Sequence, residues 1–167
     1  MNNIGDLVIY AKHGICRIDD ICDRTIGGVT RAYYVLHPVE NNHQLTISVP
    51  VDNENIVMLE LVGEEEAREL LETFRTPGAK WIDNANLRQQ TYTKAINTGN
   101  RKEIALVINA LIRRKIITER EGKKFYEQDR HLLSAAEDIM FKEMSHSLKA
   151  SPNKIEKWVY NMIDETI

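Results

Sequence analysis

This 167-residue chain is poor in the residue types that would settle its chemistry at sight. Cysteine occurs only at Cys16 and Cys22, too few for a disulfide scaffold or a four-cysteine zinc site. No apolar run approaches the roughly 20 residues that a bilayer core demands, so no helical membrane span is expected. The opening MNNIGDLVIYAKHG lacks a basic stretch followed by an apolar run and a small-residue cleavage site, so the cytoplasm is the expected compartment. A glycine-rich phosphate loop, a nucleophile elbow and a His-Glu-x-x-His helix are all missing, and neither catalysis nor a cofactor nor a small-molecule substrate is expected. His13, Cys16, Cys22, His37 and His43 match no zinc spacing. Cysteines on strands are usually small buried hydrophobes, so no metal is expected either. A small hydrolase or nuclease built on that Cys-His cluster is the enzymatic rival to this reading.

What is present is ordinary folded composition, 43% hydrophobic and 28% charged, too apolar for disorder throughout. The net charge of −3 argues against a general polyanion binder, but its distribution is uneven. Residues 1–75 carry 6 basic and 13 acidic side chains, whereas residues 76–167 carry 16 and 12. Within residues 101–124 there are 8 basic and 3 acidic side chains. An acidic front and a basic back suggest two modules with different partners.

The first sixty residues read as strands over 6–10, 15–26, 29–39, 45–51 and near 56–59. Gly27-Gly28 between two β-prone runs supplies the positive φ angles of a tight hairpin. Leu45, Ile47, Val49 and Val51 alternate with Thr46, Ser48 and Pro50, the period of a half-buried strand. Five short strands predict a small antiparallel barrel, Tudor-like or SH3-like, over residues 1–62. Residues 64–75 then read as a helix, with Glu64, Glu65 and Glu66 at its start where the dipole favours carboxylates, a solvated helix start rather than a catalytic pair. Thr76-Pro77-Gly78 reads as a hinge closing a 63–78 connection. Residues 79–167 read as all helix, over 81–98, 100–115, 126–149 and 154–163, with Asn100 and Ser151-Pro152 as start signals. The fold class expected is α+β, a small β-barrel followed by a helical domain.

Nucleic-acid contact is the functional reading with most support in the basic half. Lys80, Arg88 and Lys94 fall on its first helix, Arg113-Arg114-Lys115 at the end of the second, and Lys123, Lys124 and Arg130 at the start of the third. The alternative for Arg113–Lys115 is capping of a helix C-terminus. Trp81, beside Lys80 and Asp83, has two readings: it stacks on or wedges between bases, or it plugs the joint between the domains. Trp158, beside Val159 and Met162, reads as core.

The run Gly5-Asp6-Leu7-Val8-Ile9-Tyr10, then His13-Gly14, resembles the opening of the CarD family of bacterial transcription regulators. Tyr33-Tyr34-Val35-Leu36 and Leu45-Thr46-Ile47-Ser48-Val49-Pro50 are similar to its later strands. The same small domain occurs in the transcription-repair coupling factor as its RNA-polymerase-interacting module. Gly99-Asn100, Leu111-Ile112-Arg113-Arg114, Leu132-Leu133-Ser134-Ala135-Ala136-Glu137 and Lys142-Glu143-Met144 extend the resemblance to the C-terminal half. It implies a non-enzymatic regulator whose barrel docks on the RNA polymerase β subunit, largely by pairing a sheet edge with a β-subunit strand. Arg24, Ile26, Thr46, Ile47 and Ser48 would form that contact, with Ser48 standing where many members carry a second arginine. The helical domain would reach promoter DNA at the upstream edge of the bubble, through the minor groove and phosphates and without base readout. Trp81 would be the wedge, about one helical turn ahead of the family position near Ala85, with Arg88, Lys94, Lys123, Lys124 and Arg130 on phosphate. Binding the melted state better than the closed one would favour open complexes. The rival within this class is an adaptor that binds polymerase without touching DNA.

Overall fold

The computed structural model describes residues 2–10, 13–40, 45–52 and 58–167. The chain divides into two units, Met1–Leu61 and Val62–Ile167.

In the first unit β1 (Leu7–Tyr10), β2 (Gly14–Ile26), β3 (Val29–Pro38), β4 (Ile47–Pro50) and β5 (Met58–Glu60) make one antiparallel sheet in the order β4-β3-β2-β1-β5. The expected barrel is not closed. Among the described residues β4 pairs only with β3 and β5 only with β1, so the sheet keeps two edges. The two edge strands have four and three residues, too short to turn the sheet back on itself through their own ladder. Val8, Cys16, Ile18, Tyr34, Leu36 and Val49 form the core of this unit. Cys16 is thus a buried hydrophobe, and burial pushes its thiol pKa up.

A β-bulge in β2 shifts the register, so that Ile18 faces Leu36 and Asp20 faces Val35. Asp19 is the extra residue, paired with His37. The shift hands the core face from Ile18 to Ile21, three positions on instead of two. Beyond it β2 and β3 run out as a two-stranded arm closed by Gly27 (φ 59°) and Gly28 (φ 79°), the left-handed pair a two-residue hairpin turn requires.

The second unit contains α1 (Glu64–Glu72), a 3-10 turn at Thr73–Arg75, α2 (Ala85–Asn97), α3 (Arg101–Arg120), α4 (Glu127–Leu148) and α5 (Pro152–Asp164). Asn84, Asn100 and Ser151 cap α2, α3 and α5, each side chain accepting a backbone N–H three residues on. α3 is the central helix and touches every other helix of the unit. Its residues Val107–Ile112 are buried without interruption, as a helix surrounded on all sides requires. Phe74, Met144, Ile155, Val159 and Ile163 fill the space around it.

Two expectations need correction. Thr76-Pro77-Gly78 is not a hinge between domains, because it lies inside the helical unit. Ala79 N–H donates to Leu106 O (2.9 Å), and the buried Asn109 side chain donates to Thr76 O (2.8 Å). The boundary falls at Leu61/Val62, where α4 holds Val62 from both sides of its peptide: Glu143 accepts its N–H (3.2 Å) and Ser147 Oγ donates to its carbonyl (2.6 Å). Second, α3 does not stop at Lys115. Gly122 at φ 73° ends it, with Lys123 N–H on Thr118 O (3.1 Å) and Gly122 N–H on Glu119 O (3.0 Å), a Schellman motif. Arg113–Lys115 therefore lies more than a turn inside the helix and caps nothing.

Candidate functional site

Trp81 belongs to the irregular segment 76–84 that precedes α2, not to the helix itself, which begins at Ala85. The chain cannot continue as helix there because Asn84 is extended (φ −70°, ψ 115°) and caps α2 from outside. Hydrogen bonds fix the backbone on both sides of Trp81. Tyr92 Oη donates to Lys80 O (2.8 Å), and Arg88 Nη1 donates to Ile82 O (2.7 Å) and Asp83 O (3.3 Å). Burial raises the Tyr92 pKa, which keeps this donor protonated.

The indole is partly exposed and packs against the helical core. Two guanidinium groups lie over its ring, Arg88 at 4.4 Å and Arg114 at 4.6 Å from the centroid, and the Tyr92 ring meets it edge-on at 6.3 Å. The two cations differ in kind. Arg88 is 5% exposed and donates through Nε (2.9 Å) and Nη2 (2.7 Å) to both carboxylate oxygens of Asp129, itself 1% exposed. With Nη1 on two carbonyls, four of its five N–H bonds are occupied. Arg114 is exposed, with its guanidinium over the Trp81 ring. Arg88, expected to hold phosphate, is therefore an internal group, and the solvent-facing cation beside Trp81 is Arg114.

The other expected DNA-contacting residues are spread around this centre. Lys94 is exposed on α2, six residues and about 9 Å along the helix from Arg88. Lys123 and Lys124 are exposed in the α3–α4 turn, Lys123 within 3.5 Å of Glu121. Arg130 is half-buried between Glu119 (4.0 Å) and Glu127 (3.8 Å). Of the cations around this centre, Lys80, Lys94, Lys124 and Arg114 make no ion pair among the described residues. Sequence reasoning missed Asp129 and Tyr92. Asp129 sits in the first turn of α4, where an acid already answers the helix dipole and gives no separate signal.

The five residues expected on polymerase gather in the sheet unit. Arg24 and Ile26 lie on the exposed arm, on the face away from the core, with Arg24 directly opposite Arg31 and Ile26 opposite Val29. Ile26 is 62% and Val29 52% exposed. Thr46 precedes β4 and meets His37 Nε2 (3.0 Å), and Ile47 and Ser48 belong to β4, opposite Leu36 and Val35. Arg31 and Val35 are four residues apart on β3, about 13 Å, so Ser48 shares the face of Arg24 and Ile26, whereas Ile47, opposite Leu36, packs against the core of the sheet.

Among the described residues no group of three or more His, Cys, Asp or Glu side chains is arranged to hold a metal ion, and His43 lies outside the described residues. No described helix is long and apolar enough to cross a membrane.

The chain thus joins a small antiparallel sheet domain to a helical domain that presents an aromatic with two guanidinium groups over its ring. Two family models match the chain in that order: the CarD-like/TRCF RID domain over residues 3–61 and the CarD C-terminal domain over residues 69–160. The chain belongs to the CarD family. The first match is an RNA-polymerase-interacting domain, so RNA polymerase is the partner and transcription regulation the process.

Proposed function

We propose that the sheet domain docks on the β subunit of RNA polymerase and the helical domain stabilises the promoter open complex by contacting DNA at the upstream edge of the bubble. No reaction is catalysed and no base sequence is read. The observation that carries this reading is Trp81, a partly exposed indole with the buried Arg88 and the exposed Arg114 over its ring. An aromatic wedge gains most where base steps are already unstacked, so it binds the melted state better than the duplex. That difference in affinity shifts the population, and about 1.4 kcal/mol suffices for tenfold. Lys80, Lys94, Lys124 and Arg114 supply phosphate contacts around it. Docking uses the β4 edge and the arm of Arg24 and Ile26, where main-chain hydrogen bonds give strength and side chains give selectivity.

A second reading, a polymerase-binding adaptor without a DNA contact, draws support from the inward commitment of Arg88 and the acidic partners of Lys123 and Arg130. Open-complex lifetime on a purified promoter separates the two. Wild type is expected to prolong it, and Trp81→Ala to abolish the effect with polymerase affinity unchanged and the fold intact by thermal melt. Prolongation that survives Trp81→Ala would favour the adaptor.

A further inference from the structure

We infer that Asp129 is a positioning residue that sets the orientation of Trp81 through Arg88. The inference rests on the wedge reading of Trp81 for its functional consequence, but not for its physical content.

The geometry is a relay of three side chains from two helices and one loop. Asp129, in the first turn of α4, is almost fully buried and accepts both arms of the Arg88 fork, while Gln89 Nε2 donates to the same carboxylate (3.0 Å). A planar guanidinium held by a bidentate carboxylate has one fixed plane. That plane places Nη1 on the carbonyls of Ile82 and Asp83, immediately after Trp81, and lays the guanidinium over the indole. Arg88 thus fixes both the backbone that carries Trp81 and the ring itself. Asp129 touches neither, yet it selects the rotamer of Arg88. Burying such a pair is not required for packing, since apolar residues fill the same volume at comparable stability. Orientation gives the pair a use: a wedge must be held before DNA arrives, or ordering it then opposes binding.

The test uses the full chain with Trp158→Phe, which leaves Trp81 as the only tryptophan. In that background Asp129→Asn removes the charge at constant size, and Arg88→Met with Asp129→Leu replaces the whole pair by apolar groups, so that the fold is kept if the single variant unfolds. The expected result for the double variant is a melting temperature and polymerase affinity close to those of the parent. Its tryptophan emission moves to the red, its steady-state anisotropy falls, and its open-complex lifetime drops to that of Trp81→Ala. Unchanged emission and anisotropy in the folded double variant would overturn the inference, because a purely structural pair would leave Trp81 where it is. Lifetime retained at the parent value while Trp81→Ala shortens it would overturn it too, with the wedge reading intact. If Trp81→Ala has no effect on lifetime, the wedge reading fails, and the fluorescence decides the positioning role on its own.

Discussion

Arg88 and Asp129 stand 41 residues apart in sequence and meet through two hydrogen bonds of 2.9 and 2.7 Å, both side chains almost wholly out of solvent. Removing one partner of such a pair leaves a buried charge uncompensated. Arg88→Ala and Asp129→Ala are each expected to destabilise the helical unit by about 3–5 kcal/mol, whereas joint replacement by apolar residues costs close to nothing. Denaturation followed by helical circular dichroism, run as a double-mutant cycle, checks this. Additive single costs in the double variant would contradict it.

Gly78 packs against the backbone of α3. A Cβ built there would stand 2.6 Å from Ala110 N and 2.9 Å from Leu106 O. Backbone atoms of a central helix cannot give way, so Gly78→Ala is expected to cost about 1–3 kcal/mol and to lower the melting temperature. An unchanged melting temperature would mean that the 76–84 segment moves freely from α3.

Glu137 accepts a hydrogen bond from Tyr160 Oη (2.8 Å), which Lys115 Nζ approaches at 3.4 Å. Burial raises the Glu137 pKa above its ordinary 4.5, outweighing the Tyr160 hydrogen bond that lowers it. A raised carboxyl pKa means that the folded state holds the proton more tightly than the unfolded chain. This group therefore stabilises the fold fully at pH below 4.5, and the contribution is lost as pH rises through the raised value. Glu137→Gln, which keeps an acceptor for Tyr160, should flatten the decline of stability above pH 4.5. Melting curves from pH 4 to 8 that keep the parental slope would exclude Glu137 as its source.

Arg24 and Arg31 face each other across the hairpin arm, a like-charge cross-strand pair that weakens the ladder by a fraction of a kcal/mol to about 1 kcal/mol. Arg24→Ala is expected to raise the stability of the sheet unit slightly while weakening polymerase binding about tenfold, as loss of a charged interface contact of about 1.4 kcal/mol would. Opposite signs in the two assays mark a charge kept for its partner. Equal polymerase affinity in wild type and variant would remove Arg24 from the interface.

Lys149 ends α4 in the left-handed region (φ 53°), with Ala150 N–H on Ser145 O (3.2 Å). A side chain is strained in that conformation, so Lys149→Gly should stabilise the helical unit by about 0.5–1 kcal/mol. Its melting temperature reads the outcome directly.

Much of the fold is legible in local signals. Hairpin glycines, the Asn100 cap, the Ser151-Pro152 start and alternating apolar residues act within four residues of themselves, and β2, β3, α4 and α5 stand within two residues of their expected ends. By contrast α2, capped by Asn84, starts four residues after the expected Trp81. The two-module order follows from a change in hydrophobic period near Val62, and the resemblance to CarD proteins rests on the same stretches. The expected second helix of the C-terminal half ends at Lys115, whereas α3 runs on to Arg120 and closes at Gly122.

What the chain could not disclose is set by groups that meet only in three dimensions. The bulge at Asp19 depends on how β3 pairs with β2, so the alternation of β2 alone does not reveal where its core face changes phase. The tight seat of Gly78 depends on α3, which turns a Pro-Gly hinge signature into a packed turn. Arg88 reads as a surface cation because its partner is on another helix. Electrostatic attraction acts through space and not along the chain, so only the packed helices decided that Arg88 faces Asp129 and leaves Arg114 as the exposed cation beside Trp81.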